Sequence, residues 1–327
     1  MIKKIITILL SISILLTITG CKDNSDFSRW NDNDSLDFLI DYVKDVTDEK
    51  SENFIPVEDR IAVFDMDGTL YSQTAPYYVE MCLYIYRILK DPTYTPSDEQ
   101  MQIARQIMTD KSEGDTDLFA KRYVEAFAGM SVDDYDAYVK EFLTNVDAEE
   151  FDNMKYCDLW YKPMLEIVDY LNKNDFTIYI CSGTDRDTVR AMVDGYCNVD
   201  GTRIIGSDVE LGAIKQTDSS YVYSVDDKVV RTDVLITPND KAEKVSQLAQ
   251  EIGKRPVLSF GNSDGDVSMH MYTLGNDNYK SAAFMLVNDD DVREHGNPLT
   301  ANDTYTKWQG YGFYTFSIKD DFKEVFK

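Results

Sequence analysis

The run Ile61-Ala62-Val63-Phe64 leads directly into Asp65-Met66-Asp67-Gly68-Thr69-Leu70. Four apolar residues without alternation fit a strand buried on both faces, as in a parallel sheet. Such a strand ending in acid puts charge at the carboxyl edge of a sheet, where open α/β sheets hold their ligands. Gly68 lets the chain turn sharply just after the acidic pair. The D-x-D spacing alone says little among 59 acidic residues, because Asp32/Asp34, Asp115/Asp117, Asp134/Asp136 and Asp185/Asp187 share it. The strand before it and the glycine after it set this pair apart.

The rest of the chain alternates strands with helices. Phe176 to Cys181 reads as a second buried strand, followed by Ser182-Gly183-Thr184 and a helix over 185–196. Short strands are expected at 203–206, 221–236, 256–260 and 282–287, with a turn at Asp226-Asp227 and a helix from Lys241 to Ile252. This order predicts an α/β fold with a doubly wound parallel sheet. Between the first two strands the signal is helical throughout, which predicts an inserted helical cap over 76–165, with the sheet core formed by 35–75 and 166–327. A helix over 35–44, capped by Ser35, precedes the first strand.

The chain has 327 residues, 33 Lys and Arg against 59 Asp and Glu, and a formal charge of −26. That balance excludes nucleic acid as a partner, since phosphate backbones are held by clustered cations. A hydrophobic content of 43% excludes global disorder. The N-terminus breaks the acidic pattern. Lys3 and Lys4 precede an apolar run from Ile5 to Ile18, shorter than the roughly 20 residues of a spanning helix, so 1–20 reads as an export signal. Ile18-Thr19-Gly20-Cys21 resembles the lipobox of bacterial lipoproteins, with Ile at the usual Leu position. The resemblance implies lipidation at Cys21, a polar tether over 21–34, and an exported protein anchored to a bacterial membrane in the cell envelope. Because the remainder is so acidic, acyl chains rather than headgroup attraction would hold it there. Cys82, Cys157, Cys181 and Cys197 permit two disulfides in an exported chain, or buried thiols that act as small hydrophobes.

The residue types at the strand ends suit phosphoryl chemistry. Asp65 can attack phosphorus as a nucleophile while Asp67 protonates the leaving oxygen and then deprotonates water. A hydroxyl at Ser182 and backbone N–H groups at Gly183, on an expected helix start, can hold a phosphoryl oxygen. Lys241, at the start of its helix, can neutralise Asp65 and the phosphoryl group, with Lys244 as the alternative. Gly261-Asn262-Ser263-Asp264-Gly265-Asp266 follows the fifth expected strand and offers oxygen ligands suited to a hard ion.

Together and in this order these motifs resemble those of the haloacid dehalogenase superfamily of phosphatases, in its phosphoserine phosphatase-like branch with a helical cap, over residues 58–290. The resemblance implies an aspartyl-phosphate at Asp65, acid/base work by Asp67, and phosphate binding by Ser182, Gly183 and Lys241. It also implies Mg²⁺ held by Asp65, the Asp67 carbonyl and the Asn262/Asp266 loop. The first acid of that loop is Asn262 here, so either its amide oxygen or Asp266 is the expected ligand. The expected activity is a Mg²⁺-dependent phosphomonoesterase acting on a small ester such as phosphoserine or phosphocholine. A phosphotransferase, a dehalogenase and a non-enzymatic phosphoryl-ligand-binding lipoprotein are the alternatives. Tyr71, Tyr77, Tyr78, Met81 and Tyr84 are the candidate substrate-facing or cap-core residues. His270 and His295, the two histidines, fall outside the pattern and read as structural or surface residues.

Overall fold

Phe64 stacks on Phe260, Phe260 on Phe284 and Phe284 on Phe316, with centroids 4.2, 4.9 and 5.4 Å apart and planes within about 12° of parallel. This ladder crosses four neighbouring strands on one sheet face and sets the level at which Asp65 leaves the sheet. In this computed structural model, residues 26–73, 78–112, 114–217 and 222–326 are described. The expected signal 1–20 and the lipidation site Cys21 lie outside the described residues, as does Tyr77. No helix among the described residues is long and apolar enough to cross a membrane.

The described elements run α1 (Asp34–Thr47), β1 (Ile61–Phe64), α2 (Val79–Leu89), α3 (Asp98–Asp110), α4 (Thr116–Phe127), α5 (Val132–Asn145), α6 (Lys162–Lys173), β2 (Thr177–Asp185) and α7 (Arg186–Val193). They continue with β3 (Ile204–Ala213), β4 (Val229–Thr237), α8 (Ala242–Glu251), β5 (Leu258–Gly261), α9 (Val267–Leu274), β6 (Ala282–Val287), α10 (Ala301–Gly310), β7 (Tyr314–Ser317) and α11 (Ile318–Asp321). One sheet takes the order β4-β3-β2-β1-β5-β6-β7, parallel except for β4 against β3. The chain starts at β1 and winds outward in both directions, so the strand order reverses beside β1 and opens a crevice at its carboxyl end. The fold is the expected doubly wound α/β fold. β1 is buried at every position, which accounts for its unbroken apolar run.

The helices α2 to α5 fall between β1 and β2. The chain leaves and re-enters the core through two adjacent segments: the Ser72 N–H donates to the Leu159 oxygen at 2.9 Å and the Tyr161 N–H to the Leu70 oxygen at 2.9 Å. Buried Glu294 accepts from both Ser72 Oγ and Tyr161 OH at 2.7 Å, tying the two crossings together. α6 already packs on β2, so re-entry comes at about Lys162, slightly before the expected 165.

Several local expectations give way to packing. The tether expected to reach Asp34 has already joined the body by Phe27 and Trp30, both buried, with Trp30 edge-on to Phe316 and Phe322 at 4.8 Å. Large aromatic area outweighs the polar residues around it. Asn33, rather than Ser35, caps α1 by accepting from the Leu36 N–H at 2.8 Å. Strand β3 runs on to Ala213 and forms a hairpin with β4. All four described cysteines are free thiols, three of them buried.

Candidate active site

Asp65 leaves β1 with its N–H bonded to the Phe260 oxygen at 2.9 Å, which pins the start of the acidic turn to β5. Gly68 adopts φ +79°, and a Cβ there would strike the outer end of the Asn262 amide at 2.0 Å, so only glycine lets the two loops meet. A cavity of about 340 Å³ opens above these strand ends, lined by Asp65, Asp67, Ser182, Lys244, Asn262 and cap residues of α2 and α4. Its volume lies in the range of small-ligand sites.

Asp65, Lys244 and Asp266 form a buried triad: Lys244 Nζ donates to Asp65 Oδ1 at 2.6 Å and to Asp266 Oδ1 at 2.7 Å. Burial, then the charge of Asp266, push the Asp65 carboxyl up to about 7 despite Lys244. Burial would also raise Asp266, but Lys244 outweighs it and holds that carboxyl below the ordinary range. Asp67 accepts from Thr184 Oγ1 at 2.7 Å, and burial pushes it up to about 6. Its other oxygen, Oδ1, is buried with no partner among the described residues. A carboxyl raised by burial, with one oxygen unengaged and facing the cavity, can take up and pass on a proton there.

Two expected placements change. Lys244 takes the position expected of Lys241, whose side chain is 78% exposed and pairs with Asp240 at 3.1 Å. Lys241 precedes α8 with φ +54°, which turns it to solvent. Lys244 lies inside the first turn of α8, where side chains lean back toward the N-terminus and here into the site. Ser182 does not open a helix, because β2 continues through Asp185, whose side chain caps α7 by accepting from the Asp187 and Thr188 N–H groups at 3.1 Å. Ser182 and Gly183 still line the cavity. Asp266 is fully buried, and its Oδ2 accepts from the N–H groups of Asn262 and Ser263 at 3.0 Å. With Oδ1 on Lys244, it orients the lysine and the loop, which leaves Asn262 facing Asp65.

The donor set suits a divalent cation. The inward atom of the Asn262 amide lies 3.3 Å from Asp65 Oδ2 and 3.1 Å from the Asp67 backbone oxygen. With its oxygen inward, the amide would stand beside Asp65 Oδ2 and the Asp67 carbonyl as three oxygen donors of the kind Mg²⁺ takes.

A second cluster has no sequence signature. Arg231, 1% exposed, reaches from β4 to Asp185 at 2.6 Å and Asp187 at 2.8 Å and lies 4.0 Å from the Tyr135 ring. Tyr135 OH in turn meets Thr188 Oγ1 and Tyr123 OH, each at 2.7 Å. The Arg231 N–H donates to the Met130 oxygen and its carbonyl accepts from the Gly129 N–H, so the hairpin joins cap and core. Breaking a buried ion pair by removing one partner costs about 3–5 kcal/mol, and Arg231 pairs with both acids, of which Asp187 also meets Arg190 at 3.2 Å. Glu80 also lines the cavity, its carboxyl held well above the usual range by burial, Asp185 and Asp67. Of the residues open to either role, Tyr78 and Met81 line the cavity. Tyr71 and Tyr84 belong to the core, with Tyr71 OH donating to the Tyr156 oxygen at 2.6 Å. His270 is buried against Ser259 Oγ at 2.8 Å, and His295 reaches the Glu150 oxygen.

The family model for haloacid dehalogenase-like hydrolases matches residues 62–270, from β1 into α9. The chain belongs to this hydrolase family. Among solved structures, this hydrolase resembles a conserved protein of unknown function from Anaerococcus prevotii DSM 20548, with TM-score 0.52, 15% identity, and 91% of this chain and 97% of that one covered. It also resembles a protein of unknown function from Bordetella pertussis Tohama I, with TM-score 0.50, 15% identity, and 79% and 97% covered. At this identity the likeness is one of fold. No functionally curated protein matches the sequence.

Proposed function

We propose that this hydrolase is a Mg²⁺-dependent phosphomonoesterase that works through an aspartyl-phosphate at Asp65. The observation that carries this reading is the contact of Asp65 with Lys244 beside Asp67, one oxygen of which is unengaged among the described residues. The Asp65 carboxylate attacks phosphorus, the ester P–O bond breaks, and the Asp67 proton passes to the leaving oxygen. Asp67 then takes a proton from water as that water attacks phosphorus, which breaks the bond to Asp65 and releases phosphate. Lys244 neutralises Asp65, while Ser182 and Gly183 on the cavity wall hold phosphoryl oxygens. Asp65, the Asp67 carbonyl and Asn262 would hold Mg²⁺, which when bound offsets the repulsion between carboxylate and phosphate dianion.

The outer wall favours a small ester carrying positive charge. Tyr78, Phe119 and Tyr123 line it, an aromatic surround that suits a cationic head through cation–π contact. Phosphocholine is such an ester, and phosphoserine carries an ammonium group beside a carboxylate. Phosphate release from a panel of phosphomonoesters, with and without MgCl₂, tests the reading. Release only with MgCl₂, and faster from cationic than from anionic esters, is expected. Phosphate transfer to an added alcohol without release would indicate a phosphotransferase, halide release from a haloacid a dehalogenase, and binding without turnover a phosphoryl-ligand receptor.

From the lipobox-like segment we infer that the enzyme is exported and lipid-anchored at Cys21 to a bacterial membrane in the cell envelope. Metabolic labelling with a palmitate analogue is expected to mark the protein and to be lost in Cys21→Ser. Equal labelling of the variant would remove the anchor from the reading.

A further inference from the structure

The loop after β5 puts an amide where an acid would complete the most negative corner of the cavity. The outward atom of that amide lies 3.0 Å from Gln73 Nε2. With nitrogen inward, it donates to Asp65 Oδ2 and the Asp67 carbonyl while its oxygen accepts from Gln73, so every contact is a hydrogen bond. With oxygen inward, it offers a third oxygen beside Asp65 Oδ2 and the Asp67 carbonyl. One half-turn of the terminal amide exchanges the two arrangements, whereas an aspartate could adopt only the second. Asp266 cannot take over either role, since both its oxygens are engaged by Lys244 and the loop N–H groups.

We propose that Asn262 is a two-state ligand whose amide N–H group substitutes for the divalent cation when none is bound and whose oxygen coordinates it when one is. The identity of the ion rests on the phosphomonoesterase reading, while the nitrogen-inward state does not. A carboxylate at this position would bind Mg²⁺ more tightly through its charge. Without the ion it would face Asp65 and the Asp67 carbonyl as a third unpaired acceptor, which buried sites do not tolerate cheaply. Asn262 therefore exchanges affinity for a site that is hydrogen-bonded without metal, and in the oxygen-inward state the Gln73 amide must turn as well to accept from the outward nitrogen.

The test compares the full-length wild-type protein with N262D, using MgCl₂ alone as the probe. In EDTA, N262D is expected to melt several degrees below wild type, and saturating MgCl₂ is expected to close or reverse that gap. Calorimetric titration is expected to show at least tenfold tighter Mg²⁺ binding in N262D. If N262D folds only with Mg²⁺, its unfolding on chelation reports the same instability. An N262D that melts at or above wild type in EDTA overturns the stand-in role, and equal Mg²⁺ affinity overturns the ligand role. If neither protein binds Mg²⁺, the metal-dependent reading fails, while the EDTA comparison still decides whether the amide replaces a cation.

Discussion

Asp65→Asn is expected to lower turnover of an aryl phosphate by about 10⁴-fold or more, because the residual rate without a nucleophile comes only from binding and positioning. The substitution keeps the shape of the side chain and an oxygen that can accept from Lys244, and it removes one charge from a buried cluster that also holds Asp266 and Asp67. The fold should therefore survive, with a melting temperature within a few degrees of wild type. Turnover by phosphate release and folding by circular dichroism check the two halves together. A folded Asp65→Asn protein with near-wild-type turnover would exclude the aspartyl-phosphate route.

Lys244→Met is expected to remove turnover and to destabilise the protein, whereas Lys241→Ala is expected to leave turnover within about twofold and stability within about 0.5 kcal/mol, as for most exposed substitutions. The difference follows from position. Lys244 Nζ lies between Asp65 and Asp266 and is 3% exposed, while Lys241 sits on the exposed rim of the cavity and pairs with its neighbour Asp240 rather than with Asp65. Taking one partner from a buried ionic cluster costs about 3–5 kcal/mol because the acids left behind are uncompensated. The double variant Lys244→Met/Asp266→Asn removes one of those acids, so it should regain part of the lost stability without regaining turnover. Denaturant unfolding and phosphate release separate these effects. Loss of activity in Lys241→Ala with retention in Lys244→Met would return the role to Lys241.

Whether a site residue was legible depended on how local its cause was. Ile61 to Phe64 are buried because a parallel strand is covered on both faces, and an apolar run records that directly. Asp65, Asp67 and Gly68 are contiguous with that strand, so their place at its carboxyl end followed from it. The choice between Lys241 and Lys244 turned on a single backbone angle before α8, to which residue types three apart on one helix start are blind. The helix expected from residue 185 does begin there, with Asp185 as its cap, but Ser182 lies on β2, which continues past it to pair with β3 at Asp185. Nothing in the sequence marked Arg231 as buried, because its partners Asp185 and Asp187 lie more than forty positions away on another strand and helix.

The sequence by itself determined the α/β architecture, the helical insertion after β1, and the order of the nucleophile, hydroxyl, lysine and acidic-loop motifs. Each of these is written in short-range patterns of apolar runs and turn residues that act on their own neighbourhood. Only the tertiary structure decided which lysine meets Asp65, that Asp266 is spent on Lys244 and loop N–H groups, and that Asn262 faces the Asp65 carboxylate. It also decided that the β3–β4 hairpin joins cap to core through Arg231. The physical reason is that a buried charge is stable only beside its counter-charge, and such pairs are made by the convergence of distant segments.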